Sequence, residues 1–372
     1  MNSAEYQGVF KVAVLNGDGV GPEVTAQARR VLDVAFALAE RDVAFRDYPF
    51  GGSAIEEYGV PFPDATRVGC LEASAVLLGA VGGPRWDHVP SEVRPERGLL
   101  QLRKAAGAFA NLRPAVQFEA IVGSSTLKPD VVRGVDLLVV RELTGGVYFG
   151  PSRRFELDGV ATAENVMRYS ENEIIRIARV AFEAAQRRRG RVVSVDKANV
   201  LEVSRFWREV VTELHSAEYR DVNLTHAYVD STAMMLVRDP ASFDVILAPN
   251  MFGDILSDIA GVLQGSLGML PSSSVGGRVP IYEPVHGSAP DIAGTGRANP
   301  CGAILSAAML LEDAGITRIA GRVRLAVAKA LSDGFLTDDI ARGGSGVSTR
   351  GAADRIIHHL RHGVVADPVA RL

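Results

Sequence analysis

Short apolar runs of β type alternate with longer amphipathic runs along most of the chain. That alternation constrains the fold more than any other feature. Residues 11–15 (KVAVL) read as a strand, a glycine-rich turn follows, and a helix is expected over about 22–40. Ala75–Leu78 reads as a second buried strand, ending in glycine. Further strands are expected at 135–140, 191–195, 224–229 and 244–248, with amphipathic helices at 171–189, 201–214 and 253–264. Strands separated by helices are joined by crossovers, so the pattern predicts an α/β fold with a largely parallel sheet. Helices at 303–314 and 321–331 read as surface-packed additions. With 372 residues, 47% of them hydrophobic, the chain can build two domains or one large α/β unit without disulfides.

The bulk numbers exclude several classes. A formal net charge of -4 argues against nucleic acid or an anionic membrane as partner. The two cysteines, Cys70 and Cys301, lack metal or disulfide spacing and read as buried free thiols. The first residues show no signal-peptide pattern, and no apolar stretch reaches membrane-spanning length, so a cytoplasmic protein is expected. The run Arg187-Arg188-Arg189 followed by Gly190 reads as a helix C-terminus, and His358, His359 and His362 as solvated tail residues.

Ligands of open α/β sheets bind beyond the carboxyl ends of the strands. Here several of those ends carry charge: Arg141, Asp196-Lys197, Asp230, and Asn250 leading into a helix with Asp254 and Asp258. Asp254 and Asp258, spaced i,i+4, share a helix face, and two like charges there invite a divalent cation, Mg²⁺ or Mn²⁺, with Asp230 as a further ligand. The alternative, that Asp254 faces the helix dipole while Asp258 is merely exposed, stands beside it. Arg103, Arg113 and Arg141 would suit a substrate with two carboxylates if they converge, because guanidinium forks match carboxylates. Tyr148, flanked by glycines in GGVYFG, is either a core aromatic or a proton donor.

Two glycine-rich stretches follow strands. GDGVG (residues 17–21) is not the GxGxxG dinucleotide fingerprint, and a tight turn with Pro22 opening a helix explains it. The stretch from His286 to Gly294 (HGSAPDIAG) offers backbone donors, a histidine and one carboxylate, Asp291. A carboxylate suits a ribose diol and repels a 2′-phosphate, favouring NAD over NADP.

Taken together, GDGVGPEV, LLQLRK, ANLRP, VRELTGGVYFG, VDKANVLE, NMFGDILSD and EPVHGSAPDIAG resemble the β-decarboxylating dehydrogenases. That family includes isopropylmalate, isocitrate, homoisocitrate and tartrate dehydrogenases. The resemblance spans residues 11–359. It implies a two-domain α/β fold with a large mixed sheet shared between domains, distinct from the Rossmann fold. Residues 1–108 and 265–372 would form a discontinuous NAD-binding domain, and 109–264 a central domain carrying the metal aspartates and the dimer interface. It further implies a homodimer with shared active sites. Arg103, Arg113 and Arg141 would hold the substrate carboxylates. Asp230, Asp254 and Asp258 would bind the metal, with Asp230 also near the substrate. Lys197 and Asp230 would come from the second subunit. Lys197 would take the hydroxyl proton and Tyr148 would protonate the carbon that loses CO₂. His286, Gly287, Ser288, Ala289, Asp291 and Asn299 would line the NAD site.

The same resemblance points to a substrate. Leu99, Leu100 and Arg103 are spaced to share a helix face, and the leucines offer an apolar pocket, to which the resemblance adds Glu96. Burying an unpaired carboxylate there would cost several kcal/mol, roughly, so isocitrate is disfavoured. The expected reaction is oxidative decarboxylation of (2R,3S)-3-isopropylmalate to 4-methyl-2-oxopentanoate and CO₂ with reduction of NAD, in leucine biosynthesis.

Overall fold

A computed structural model describes residues 8–342 and 344–363. Its strands are β1 (Phe10–Leu15), β2 (Val43–Asp47), β3 (Ala75–Leu78), β4 (Ala110–Val116), β5 (Asp136–Glu142), β6 (Ser152–Leu157), β7 (Val160–Asn165), β8 (Arg191–Asp196), β9 (Asn223–Tyr228), β10 (Val245–Ala248), β11 (Pro271–Val275) and β12 (Ile281–Pro284). The helices are α1 (Gly21–Leu38), α2 (Gly52–Tyr58), α3 (Asp64–Glu72), α4 (Pro95–Ala106), α5 (Pro129–Val132), α6 (Glu171–Gln186), α7 (Glu202–Glu218), α8 (Val229–Arg238), α9 (Asn250–Leu263), α10 (Cys301–Asp313), α11 (Thr317–Ser332) and α12 (Thr349–His362).

One 10-stranded mixed sheet runs in the order β2-β1-β3-β12-β11-β4-β5-β10-β8-β9. Its two flanks are parallel, and the antiparallel pairings lie between them, at β12·β11, β11·β4 and β4·β5. Strand β5 is buried almost throughout, as expected of a strand covered on both faces. Pro114 sits inside β4 opposite Leu138, yet β11 pairs only with residues 110–112 of that strand. At Pro114 the strand therefore has a free edge, which a residue without an N–H can occupy. Strands β6 and β7 form a separate hairpin that the coarse sequence pattern does not reveal.

Helices cover both faces. On one flank of the sheet, β1 packs against α1, α10, α11 and α12 on one face, while the opposite face meets Cys70 of α3 and Leu102 and Ala106 of α4. On the other flank, β5 and β10 face α6 and α7 on one side and α8 and α9 on the other. Helix α6 begins with a capping box, in which the Glu173 carboxylate accepts from the Ser170 N–H at 2.8 Å, and it buries Ile174, Ile177, Ala181 and Phe182. No described helix is long and apolar enough to cross a membrane.

Three expectations are corrected. Helix α10 is buried from Cys301 to Ala308, because it is apolar all round and has no solvated face to show. His359 is half-buried in α12, and its Nε2 lies 2.9 Å from Asp333, so it is not a solvated tail residue. Asp230 lies in the first turn of α8, not in a strand-end loop.

The basic run after α6 also has a task in the fold. The fully buried Asp244 carboxylate accepts from Arg188 Nε at 2.9 Å, Arg189 N at 3.0 Å and Arg191 N at 3.1 Å. Asp244→Ala would strand these donors and is expected to cost roughly 3–5 kcal/mol. Urea unfolding should show a lower midpoint at unchanged slope. A midpoint within error of the parent would contradict this account.

Candidate active site

The ionisable residues gather where β5 and β10 end in parallel, with β4 beside them. Pairing places Arg141 of β5 opposite Asn111 of β4 and beside Ala248 of β10, so the helix that follows β10 starts next to Arg141. The side chain of Arg141 is 4% exposed. Its Nε donates to Asn250 O at 2.9 Å, one terminal nitrogen donates to Asn250 Oδ1 at 2.8 Å, and the other meets Asp254 Oδ1 at 2.5 Å. Burial, and then the neighbouring Arg113 charge, bring the Arg141 pKa down to about 10. Arg113 donates to Asn111 Oδ1 and Ser257 Oγ, both at 2.7 Å, and stands 3.5 Å from both Asp254 and Asp258. Burial lowers its pKa too, opposed by Asp254.

Arg103, on α4, pairs with Glu283 of β12 at 2.8 Å, both side chains being buried. Arg113 and Arg141 meet at Asp254 Oδ1, and the charge of Arg103 reaches both of them. The buried Arg103 Nε has no protein partner. Such a donor is costly unless something accepts from it, and an anionic ligand would do so. On the same helix Glu96 is exposed, while Leu99 and Leu100 are half-buried. Leu99 packs partly into the core with Phe50 and Leu102, so Leu100 is the freer of the two.

Tyr148 sits in a tight turn fixed from below. The buried Glu142 carboxylate accepts from Thr144 N at 2.8 Å and Gly145 N at 2.7 Å. Tyr148 is itself 46% exposed, and its hydroxyl donates to Asp254 Oδ2 at 3.3 Å. Partial burial, followed by the Asp254 charge, raises its pKa, so the phenol keeps its proton at neutral pH. An exposed hydroxyl beside arginines is placed for proton donation, and the core reading of this tyrosine falls away.

Asp254 and Asp258 do share a face of α9. Their mutual repulsion is relieved within the chain by Arg113 and Arg141, so like-charge spacing by itself does not demand a cation. Burial raises the Asp258 pKa, against the pull of Arg113. Side-chain exposures of 33% and 67% leave oxygens of both carboxylates open, a donor set suited to a hard divalent cation. Lys197 and Asp230 form a separate pair at 2.6 Å, and Lys197 holds the Asp230 carboxyl below the usual carboxylate range. No hydrogen bond or ion pair links them to Asp254 or Asp258. Among the described residues no group of three acidic, histidine or cysteine side chains is close enough to hold a metal within one chain.

A cavity of about 580 Å³ is lined by Val20, Gly268, His286, Gly287, Ala289 and Asn299, among others. His286 is half-buried, its Nδ1 lies 2.9 Å from Gly287 O, and its Nε2 has no protein partner. Burial lowers its pKa, so the ring is neutral near pH 7. Asn299 donates to Asp339 at 3.0 Å, and Arg297 and Asp338 form an ion pair at 2.5 Å in the lining. The volume, the unpartnered imidazole nitrogen and the mixed lining fit part of a dinucleotide. Ser288 is buried beside this cavity and Asp291 is exposed; neither lines it.

Sequence reasoning placed Asn250 at a strand end without its contact to Arg141, and it missed Ser257 and Glu283, which orient the other two arginines, and Asp338 and Asp339, which line the cavity. Glu283 opens a motif the sequence does display, EPVHGSAPDIAG. For the two aspartates, about 40 residues from Asn299, no local signal exists.

Comparison with known proteins identifies the family. Residues 11–356 match the family model of the isocitrate/isopropylmalate dehydrogenases. A 3-isopropylmalate dehydrogenase of Salinibacter ruber is 56% identical, over 89% of this chain and 90% of its own. One from Wolinella succinogenes is 52% identical, over 90% and 93%. Among solved structures, isocitrate dehydrogenase from Methylococcus capsulatus superposes with a TM-score of 0.84 at 33% identity, covering 95% of this chain and 100% of the other. A β-decarboxylating dehydrogenase from Thermococcus kodakarensis gives 0.78 at 37% identity, covering 95% and 97%.

Proposed function

Because this chain belongs to the isocitrate/isopropylmalate dehydrogenase family, we propose that it is a decarboxylating oxidoreductase. On this reading it converts (2R,3S)-3-isopropylmalate to 4-methyl-2-oxopentanoate and CO₂ with reduction of NAD, in leucine biosynthesis. The observation that carries the reading is the meeting of Arg113, Arg141 and Tyr148 at Asp254, with the charge of Arg103 acting on both arginines and Leu100 half-buried on the Arg103 helix. Guanidinium forks suit a dicarboxylate, and a leucine suits an isopropyl group. Relatives named for that substrate at 52% and 56% identity support it.

The residues divide the work. Arg103, Arg113 and Arg141 hold the two carboxylates, and Glu96, Leu99 and Leu100 border the side-chain pocket. Asp254 and Asp258, with Asp230 from a second copy, hold Mg²⁺ or Mn²⁺. His286, Gly287, Ala289 and Asn299 hold NAD, with Ser288 and Asp291 in the same loop. When bound, NAD supplies the hydride acceptor and the cation supplies Lewis-acid polarisation of the oxidised carbon's oxygen. Lys197, also from the second copy, takes the hydroxyl proton as C2 loses its hydride. The bond to the β-carboxylate then breaks, CO₂ leaves, and the electron pair stays on C3. Tyr148 delivers a proton there, a task its raised pKa suits.

Residues 109–264 form the central domain in this reading, and 1–108 with 265–372 the NAD-binding domain. A homodimer is supported by two features. Helices α8 and α9 pack together and expose Met234, Val237, Ile255 and Val262. The β6–β7 hairpin exposes Leu157 and Val160, and a lone hairpin is marginal in water. A second copy would cover both and bring Lys197 and Asp230 to the site. Two free, buried cysteines fit a cytoplasmic setting.

The test is NADH production from 3-isopropylmalate with Mg²⁺, beside isocitrate, malate and tartrate, with and without chelator. Chelator-sensitive turnover of 3-isopropylmalate alone is expected. Preference for isocitrate would overturn the assignment of Leu99 and Leu100.

A further inference from the structure

The GDGVG turn carries an acidic residue that the chemistry above does not use. Asp18 is 5% exposed. Its Oδ1 accepts from Gly52 N at 2.9 Å and its Oδ2 from Gly82 N at 2.9 Å, while its own N–H donates to Ala80 O at 2.7 Å. Ser53 contributes another backbone N–H. Among the described residues no lysine, arginine or histidine forms an ion pair with it, and the charge of Glu96, of the same sign, acts on it. A buried carboxylate with no counter-charge is expensive, and a turn that needed only closing would be served by asparagine or serine at lower cost.

What surrounds the turn explains the carboxylate. On one side, Val20 N donates to Ser288 O at 2.8 Å, Val20 lines the 580 Å³ cavity, and a Cβ on Gly19 would stand 2.0 Å from Ser288 O. The turn is thus wedged against the loop that carries His286, Gly287 and Ala289. On the other side, the Gly82 backbone held by Asp18 backs the Glu96 carboxylate, since a Cβ on Gly82 would stand 2.2 Å from Glu96 Oε1. One side chain therefore ties the start of α2, the segment after β3 and the turn before α1 into a single unit. That unit touches the cofactor loop at Ser288 and the hydroxy-acid pocket at Glu96.

We infer that Asp18 is a positioning residue that sets the cofactor loop and the hydroxy-acid pocket in one register, taking the activity proposed above as premise. It is buried and does not line the cavity. It acts through Gly82 on Glu96 and through the Gly19–Val20 turn on Ser288. Asp18→Asn keeps the size but turns an N–H donor toward one of the backbone N–H groups. In that variant the NAD Kd, measured by calorimetry, should rise about tenfold, because an acceptor has become a donor facing a donor. The hydroxy-acid KM should rise by a similar factor, with kcat within about threefold of the parent. A role confined to stability would lower Tm and leave Kd and KM of the folded protein unchanged, and that result overturns the inference.

Gly82→Ala gives a second reading if Asp18→Asn does not fold. At a φ of +99° the added methyl strains the backbone and meets Glu96 Oε1, the nearer of the two sides, so hydroxy-acid KM should rise more than the NAD Kd. No change in either constant overturns the inference. Wild-type turnover of 3-isopropylmalate tests the proposed activity separately, and NAD calorimetry does not depend on which acid is oxidised.

Discussion

Lys197→Ala is expected to cut turnover by roughly 10²–10⁴-fold, the usual contribution of a positioned general base, while the NAD Kd stays near the parent value. The structure separates the two effects. Lys197 follows β8 and pairs with Asp230 at 2.6 Å, whereas the cavity is lined by Val20, residues 266–268, 286, 287, 289, 292, 297–299, 338 and 339. The fold should survive, because Lys197 is bound to a carboxylate whose side chain is 66% exposed. Asp230 loses its partner but remains solvated. Single-turnover absorbance at the NADH band, beside calorimetry, checks both halves. Parent-like turnover would remove the lysine from the proton path, and a parallel loss of NAD binding would show a wider structural fault.

Arg141→Ala should damage both stability and substrate binding. The guanidinium satisfies Asn250 O and Oδ1 and neutralises Asp254, and it is almost wholly buried. Removing it leaves Asp254 short of its main counter-charge, at an expected cost of roughly 3–5 kcal/mol. Hydroxy-acid KM should rise about 10²–10³-fold from loss of a charge-assisted bidentate contact. Arg141→Lys keeps the charge but not the fork, and a KM increase of about tenfold is expected with a smaller loss of Tm. An unchanged KM in the lysine variant would show that this arginine serves the fold alone. Arg113 would not compensate, being already engaged with Asn111 and Ser257 at 2.7 Å.

The hydrophobic alternation in the sequence locates six of the twelve described strands, each within a residue or two: β3 is matched at both ends, and β5, β8 and β10 nearly so. The i,i+4 placement of Asp254 and Asp258 on one helix is likewise a local property, and it holds. The hairpin β6–β7 escapes because its faces are mostly exposed, so no apolar alternation marks it. Helix α8 escapes because β9 runs into it without a turn residue to mark the boundary.

The sequence by itself determined the α/β class, the family motifs and the residue types available for catalysis, because periodicity and spacing are written within single segments. Tertiary structure alone decided which of those residues meet. Arg103 finds Glu283 at a separation of 180 residues, and Arg141 finds Asn250 and Asp254 only because β5 and β10 pair in parallel in a fixed register. It also decided that Asp18, in an ordinary-looking turn, is a buried carboxylate tying three segments together. Such contacts depend on strand order and helix placement across the whole sheet, and no local pattern encodes a register between segments so far apart.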